Sequence, residues 1–325
     1  MVSNLLLVAT ILRYSALRNR KEFILIATLS FYDCLSYGLF NIAASVYRIP
    51  KLLSGHYTSA TSRLSCMLTF HCSIWFLSYT ASSLMLVVLS LDRWMAVKLP
   101  VLYMSLNRRY ALITVSVLTV VDFLQYALLI YRAAGSSSTD QSVTQLCWVG
   151  EAARPSDYQL HHMFNVSLAV LSIAIYGLVL VANRSKTMSN KTNKTDSQVS
   201  KTRQKTGLQW QKRLTKAVGT SCICTVLFLI LPTVGLSLMS RFPSIYANFA
   251  GWVYLVNCVN PVCNLLIYAR KQQDIRKALI SLIKCKTLPQ NLDLWHVQKI
   301  GPTVVSKTPS RNPVALVPLT DFSRR

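Results

Sequence analysis

Charged residues inside long apolar stretches are the residues of this chain that could do chemistry. Asp33 lies near the middle of one apolar run, and Asp92 and Arg93 close another in the stretch LSLDRWMAVKLP, residues 89–100. An unpaired carboxylate at the centre of a bilayer costs about 3 kcal/mol, so Asp33 needs polar partners. The neighbouring acid and base can pair with each other, or the arginine can turn toward another helix or a partner protein. These features indicate a polar site and a switch.

The partners of Asp33 can be sought at comparable depth in the other apolar runs. The polar side chains available there are Asn4, Ser82, Ser83, Asn257, Asn260 and Asn264. Oxygen atoms gathered around one carboxylate could hold a sodium ion or a few waters. The alternative is a protonated aspartate that only joins helices by hydrogen bonds. The sequence leaves both interpretations open, and it offers no partner for a second acid, Asp122.

Covalent chemistry and metal binding are not predicted. The sequence has no Ser/His/Asp set, no paired carboxylates and no glycine-rich phosphate loop, so we do not expect an enzyme. His161 and His162 are adjacent and cannot both point at one ion from one helix face, and no Cys/His spacing is typical of a zinc site. We expect no cofactor other than the sodium ion considered above.

The elements that must position these residues are membrane-spanning helices. The chain is 52% hydrophobic and 14% charged, with mean hydropathy +0.37, which is unlike a soluble domain of 325 residues. Six apolar runs reach the roughly 20 residues that a spanning helix needs: 23–47, 66–91, 110–131, 158–182, 215–240 and 245–268. A seventh run, 2–12, has about half that length. We therefore predict an all-α membrane protein, a bundle of seven transmembrane helices with a truncated first helix, and we expect the coding sequence to extend upstream of Met1.

The distribution of charge predicts the orientation. Of 35 Lys and Arg residues, 29 fall in segments on one side of the predicted bundle, and the net charge is +24. Positive residues concentrate on the cytosolic side, so we expect the C-terminus inside and the N-terminus outside the cell. These residues adjoin spans and have no interleaved aromatic platform, so we expect no nucleic-acid partner.

Two segments outside the spans are predicted to be disordered. Residues 190–206 contain a single apolar residue, Val199, and residues 285–325 are polar and rich in proline. The membrane-spanning domain would then be 1–284. Its last part, 270–284, has apolar residues at helical spacing among basic ones and should form an amphipathic helix on the inner leaflet. Cys285 follows it as a candidate palmitoylation site.

Two cysteines lie on the predicted extracellular side, where oxidation is permitted. Cys66 stands at the start of the third span and Cys147 in the loop that follows the fourth. A disulfide between them would hold that loop over the bundle, with Cys72 as the competing partner.

The layout resembles the rhodopsin-like G-protein-coupled receptors over about residues 4–284. The Asp-Arg-aromatic motif is matched by Asp92, Arg93 and Trp94. The other matches lie in order on the expected spans: Asn4, Asp33, Tyr176, Pro232, Asn264 and Tyr268. The resemblance implies a plasma-membrane receptor for a small-molecule or peptide ligand, with a heterotrimeric G protein as partner. It also implies that Asp92, Arg93, Tyr176 and Tyr268 form the switch.

Several departures from that pattern point to a particular group. The seventh-helix Asn-Pro pair, Asn260 and Pro261, stands one turn before the position expected from Tyr268, and Ile230 replaces the sixth-helix tryptophan. The fourth span lacks its tryptophan and the fifth its proline. The stretch SALRNRKEFILIATLSFYD resembles the serpentine chemoreceptors of nematodes, particularly the SRSX type. A relative that does not signal is one alternative, and a small-solute transporter or channel using its two buried acids is another.

The same matching places a ligand pocket between the outer ends of the helices. The third helix has aromatic residues where amine receptors carry an aspartate, so no amine anchor is predicted. The expected pocket residues are Trp75, Phe76, Tyr79, His161, His162, Phe164 and Tyr254. They would suit a neutral small molecule or a peptide end. Alternatively, these aromatics only fill space between helices or face the headgroups.

Overall fold

A computed structural model of the chain describes residues 1–55, 59–135, 143–192, 214–232, 234–235, 252–253 and 255–284. The longer helices are α1 (Val2–Arg13), α2 (Lys21–Leu53), α3 (Phe70–Lys98), α4 (Arg108–Ala134), α5 (Pro155–Thr192), α6 (Leu214–Phe228), α7 (Val259–Lys271) and α8 (Gln273–Ile283). Short helices lie at Ser15–Arg18, Arg63–Met67, Pro100–Ser105 and Val149–Ala152. All described residues belong to one compact unit, Met1–Leu288.

The apolar runs in the sequence form helices because a helix satisfies its own backbone hydrogen bonds, as a lipid environment requires. Among the described residues, α2, α3, α4 and α5 are long and apolar enough to cross a membrane, and α1 and α6 are shorter apolar helices. The described parts of the predicted spans are helical, apart from short breaks at 68–69 and 258, and α5 extends ten residues beyond the predicted end at 182. Residues 233, 236–240, 245–251 and 254 of the last two predicted spans lie outside the described residues. Residues 190–192 of the predicted loop are helical, while 193–206 and 285–325 lie outside the described residues.

The third helix is the centre of the bundle and the fourth lies at its edge. In the apolar part of α3, 67% of residues are buried, against 6% in α4. Phe123 and Leu124 of α4 are more than half exposed. The described part of the chain leaves most of this apolar helix exposed, as expected for a membrane helix that faces lipid. Residues on α3 are therefore in the best position to connect the two ends of the bundle.

The second helix contains a π-helical turn at Leu35–Leu39, directly after Asp33 and Cys34. A further π-helical turn occurs at Val226–Ile230 in the sixth helical segment. Such turns insert an extra residue into a helix and are frequent at functional sites. In α2 the turn lies between Asp33 and the C-terminal end of the helix at Leu53.

At that end of the bundle, a strand pair and a disulfide fix the loop that follows α4. Strand β1 (Ala60–Thr61) pairs antiparallel with β2 (Val143–Thr144). Cys66 and Cys147 form the disulfide predicted from the sequence, and Cys72 is a free thiol. Arg48 of α2 donates from Nε to the Leu146 carbonyl at 2.9 Å. These contacts hold the loop over the end of α3.

At the opposite end, α8 follows α7 after one extended residue, Gln272. Ile275 and Ala278 are buried on its inner face, and its other side is largely charged or exposed. Asp274 accepts a hydrogen bond from Arg20 at 3.2 Å, which ties α8 to the segment before α2. The amphipathic eighth helix predicted from the sequence is confirmed.

Candidate functional site

The acid in the middle of α2 has partners from two other helices. Ser82 of α3 donates from Oγ to Asp33 Oδ1 at 2.5 Å, and Asn264 Nδ2 of α7 lies 3.5 Å from Asp33 Oδ2. All three side chains are buried. Both carboxylate oxygens of Asp33 are thus paired, as expected for a polar group in an apolar interior. Ser83, the other serine considered, donates instead to the Tyr79 carbonyl of its own helix at 3.1 Å.

The network continues from α7 to α6 through residues that the sequence did not single out. Ser221 donates a hydrogen bond to Asn264 Oδ1. Thr225, one turn further along α6, lies 3.5 Å from Asn260 Oδ1. The structure therefore joins Asn264 directly to Asp33 and places Asn260 in a separate contact with α6. Serine and threonine are frequent in membrane helices, so the sequence could not distinguish Ser221 and Thr225 from the others. Only their contacts with Asn264 and Asn260 do so.

Asn4 of α1 is buried, and neither its Oδ1 nor its Nδ2 has a hydrogen-bond partner among the described residues. No hydrogen bond joins it to Asp33 among the described residues, so its part in the polar site stays a prediction. A buried amide without partners usually indicates a bound water or ion. The oxygens of Asp33, Ser82 and Asn4 are of the type that hard cations prefer. These residues could hold a sodium ion or waters.

The acid-base pair at the end of α3 is buried and closed on itself. Arg93 donates from Nε to Asp92 Oδ2 at 3.1 Å, and its Nη2 contacts the same oxygen. Asp92 is fully buried and Arg93 is 1% exposed. Arg93 Nη2 also lies 2.7 Å from the hydroxyl of Tyr103, in the short helix Pro100–Ser105. Arg93 is therefore bound within its own end of the bundle rather than extended toward solvent.

Tyr103 connects this pair to the start of α2. Its hydroxyl lies 3.0 Å from Glu22 Oε1 and 3.2 Å from Asp92 Oδ2, so it can donate to either acid while accepting from Arg93. Burial raises the pKa of Tyr103, so the hydroxyl keeps its proton. Lys21 Nζ lies 3.6 Å from the Tyr103 ring centre and donates to the Tyr103 and Leu106 carbonyls. We call Glu22, Asp92, Arg93 and Tyr103 the arginine clamp.

The fifth-helix tyrosine is bound to α6 and not to the arginine. Tyr176 donates from its hydroxyl to the Thr215 carbonyl. A Cβ at Gly219 would overlap the Tyr176 ring, so a larger residue there would displace this ring or move α5 away from α6. Tyr268 of α7 is buried nearby in the core that also contains Leu214 and Ala217 of α6. Of the four predicted switch residues, the structure brings Asp92 and Arg93 into contact, and it places Tyr176 on α5 and Tyr268 on α7 without a hydrogen bond to Arg93 among the described residues.

The aromatic residues predicted for a pocket form a stack at the other end of α3. Trp75 and Tyr79 have ring centres 4.9 Å apart and are nearly parallel. His162 stacks on Tyr79 at 6.4 Å and on Tyr158 at 6.2 Å. His161 lies edge-on to Phe76 at 5.2 Å. Tyr158, which the sequence analysis did not select, is therefore part of this cluster.

Two imidazole nitrogens in the cluster have no partner among the described residues: His161 Nε2 and His162 Nδ1. The other nitrogen of His161, Nδ1, lies 3.1 Å from Gln125 Nε2 of α4. Phe164 does not join the cluster, because it is 41% exposed on the outer side of α5. Tyr254 and Cys285 lie outside the described residues.

A buried acid shared by three helices, a closed Asp-Arg pair at the end of the central helix, and four described helices that are long and apolar enough to cross a bilayer are features of a helical membrane protein. The sequence model of the family described as serpentine type 7TM GPCR chemoreceptor Srsx matches residues 1–283. This chain therefore belongs to the Srsx family of serpentine chemoreceptors, and it is a multi-pass membrane protein, as the resemblance predicted. No curated protein matches it.

Proposed function

We propose that this chain is a chemosensory receptor that transmits the binding of an extracellular ligand to a heterotrimeric G protein. The observation that supports this most is the arginine clamp at the end of the helix that also carries the aromatic cluster. Arg93 and Phe76 are 17 residues apart on α3, which corresponds to ~26 Å along a continuous helix. A rigid central element that has a candidate ligand site at one end and a buried switch at the other fits a relay.

Polar contacts between α3 and α5 support the coupling of the two ends. Ser90 and Ser172 share a hydrogen bond of 2.8 Å, and Ser172 also donates to the Leu86 carbonyl at 3.1 Å. Further along, Asn165 Nδ2 lies 3.4 Å from Thr80 Oγ1. A ligand that displaces α5 at the aromatic cluster would strain these contacts, because they lie between the cluster and Tyr176 along α5. In the proposed active state Tyr176 leaves Thr215, α6 moves outward, and Arg93 is released from the clamp.

The ligand class follows from the cluster. It is built of aromatic rings, contains no Asp, Glu, Lys or Arg, and has two imidazole nitrogens without a partner among the described residues, so it suits a neutral molecule with a flat body and one or two hydrogen-bonding groups. In the proposed orientation the N-terminus is outside and the short helix Pro100–Ser105 faces the cytosol. Val101 and Met104 of that helix are 85% and 75% exposed, and they offer the G protein an apolar contact.

The test is a ligand screen in cells that express the full chain, with a second-messenger readout. An active compound should signal through the wild type and fail with Arg93→Ala at matched surface expression. The matched control is Arg109→Ala, which removes an exposed arginine outside the clamp. A compound whose signal does not depend on Arg93 would contradict the proposed switch, and ion flux without a G protein would favour a channel or transporter.

A further inference from the structure

A basic cleft lies beside the arginine clamp, at the end of the bundle that carries Arg93. It has a volume of about 250 Å³. Residues 19–22, before and at the start of α2, form one wall, and residues 103, 104 and 106–108, between α3 and α4, form the other. The cleft thus lies between the segment that leads into α2 and the segment that connects α3 to α4.

The charge of this cleft is mainly positive. Arg20, Lys21 and Arg108 are cations, and Glu22 is the acid among the lining residues. Glu22 is directed to the clamp, where its carboxylate lies 3.0 Å from the Tyr103 hydroxyl. Its carboxylate also interacts with Arg20 and Lys21, so it offsets one of the three positive charges. The opening is left with an excess of basic groups, and one of them, Arg20, is also paired with Asp274 of α8.

Lys21 is the most constrained of the three cations. It is 6% exposed, and its ammonium donates to the Tyr103 and Leu106 carbonyls. An ammonium has three N–H groups, so one donor remains for a ligand. A lysine that holds the last carbonyls of the short helix Pro100–Ser105 also fixes the position of Tyr103. An anion beside Lys21 would therefore lie next to the residue that holds Arg93.

The size and place of the cleft limit what it can bind. Pockets for drug-sized ligands start at about 300 Å³, so this cleft suits a compact group. Arg and Lys recognise phosphate through charge-assisted hydrogen bonds. With the proposed orientation, the cleft lies at the level of the inner-leaflet head groups, where basic sites attract anionic lipids. We propose that this cleft binds a phosphate monoester, presented by the head group of a phosphorylated inositol lipid or by a soluble inositol phosphate.

The proposal can be tested on the purified full chain in phosphatidylcholine nanodiscs. A fluorescent, water-soluble phosphatidylinositol bisphosphate is titrated, and its binding is followed by fluorescence polarisation. Arg108→Gln removes one lining cation, and Arg109→Gln is the matched control, because it removes the same charge from the next residue of α4, outside the cleft. Thermal unfolding of each variant verifies that it is folded.

We expect saturable binding that Arg108→Gln weakens by more than tenfold, since a hydrogen bond to a charged group corresponds to roughly 10- to 150-fold in affinity. Arg109→Gln should weaken it by less than about fivefold, the effect of one basic residue near an anionic surface. Full competition by inositol trisphosphate would indicate that the natural ligand is a soluble inositol phosphate. If inositol trisphosphate does not compete, the natural ligand is the phosphorylated lipid. Equal losses in both variants, or equal competition by phosphatidylserine, would overturn the proposal, and neither result would affect the proposed receptor function.

Discussion

Replacing Tyr103 by phenylalanine is the sharpest perturbation of the arginine clamp. The substitution removes only the hydroxyl, which lies 2.7 Å from Arg93 Nη2 and 3.0 Å from Glu22 Oε1. The ring that Lys21 contacts stays in place. We expect Tyr103→Phe to raise signalling in the absence of ligand, because the lost bonds belong to the closed arrangement.

The size of this effect can be worked out from the contacts. A hydrogen bond to a charged group contributes about 1.5–3 kcal/mol, which is roughly 10- to 150-fold in an equilibrium constant. If the bond exists only in the closed state, the ratio of open to closed receptor rises by that factor. Starting from an open population of about 1%, within the range typical of minor states, the variant would reach roughly 10–60%.

The assay is second-messenger output without ligand, normalised to surface expression, in cells that express the wild type or the variant. Tyr110→Phe is the control, because Tyr110 is a nearby half-buried tyrosine of α4 that forms no hydrogen bond to Asp92 or Arg93 in the described part of the chain. Asp92→Asn serves as a reference, since it removes the anion that Arg93 binds. If Asp92→Asn activates the receptor and Tyr103→Phe leaves it at the wild-type level, the hydroxyl plays no part in the resting state.

Three further predictions test other parts of the structure. Gly219→Val should overlap the Tyr176 ring, separate α5 from α6 and lower the melting temperature, whereas unchanged stability would mean that the two helices are not in close contact. Sodium, but not choline, should raise the melting temperature of the wild type, and Asp33→Asn should remove this dependence; a wild type indifferent to sodium would leave Asp33 as a link between helices. Cys147→Ser opens a disulfide that spans 81 residues and should cost about 2–5 kcal/mol, which would appear as reduced surface expression; normal expression and melting would show that the strand pair and the hydrogen bonds of Arg48 hold the loop without the disulfide.

The polar network of the bundle was predictable in part. The cost of a carboxylate in lipid required partners for Asp33, and hydropathy restricted them to a few side chains at the same depth. The choice among neighbours was not predictable. Ser82 and Ser83 are consecutive, and one residue turns a helix by about 100°, so only the rotation of α3 against α2 decides which hydroxyl reaches Asp33.

The aromatic cluster, too, was predictable only in part. Composition and position selected Trp75, Tyr79 and His162 for a pocket; the structure brings their rings into contact, and the pocket itself stays a prediction. Phe164 was chosen on the same grounds, yet its place on α5 directs it outward, to 41% exposure. Tyr158 lies one turn before His162 and was overlooked, although the helical spacing could have indicated it.

The sequence by itself determined the membrane class, the helical segments, the acid-base pair at the end of α3 and the family resemblance, because hydropathy and short motifs are local properties. The tertiary structure alone decided that Tyr103 and Glu22 complete the arginine clamp. These residues are 81 positions apart, one at the start of α2 and the other in the short helix Pro100–Ser105, and the sequence analysis selected neither of them. Their contact depends on how two loops meet around the end of α3, and that is a consequence of packing between helices that no local pattern contains.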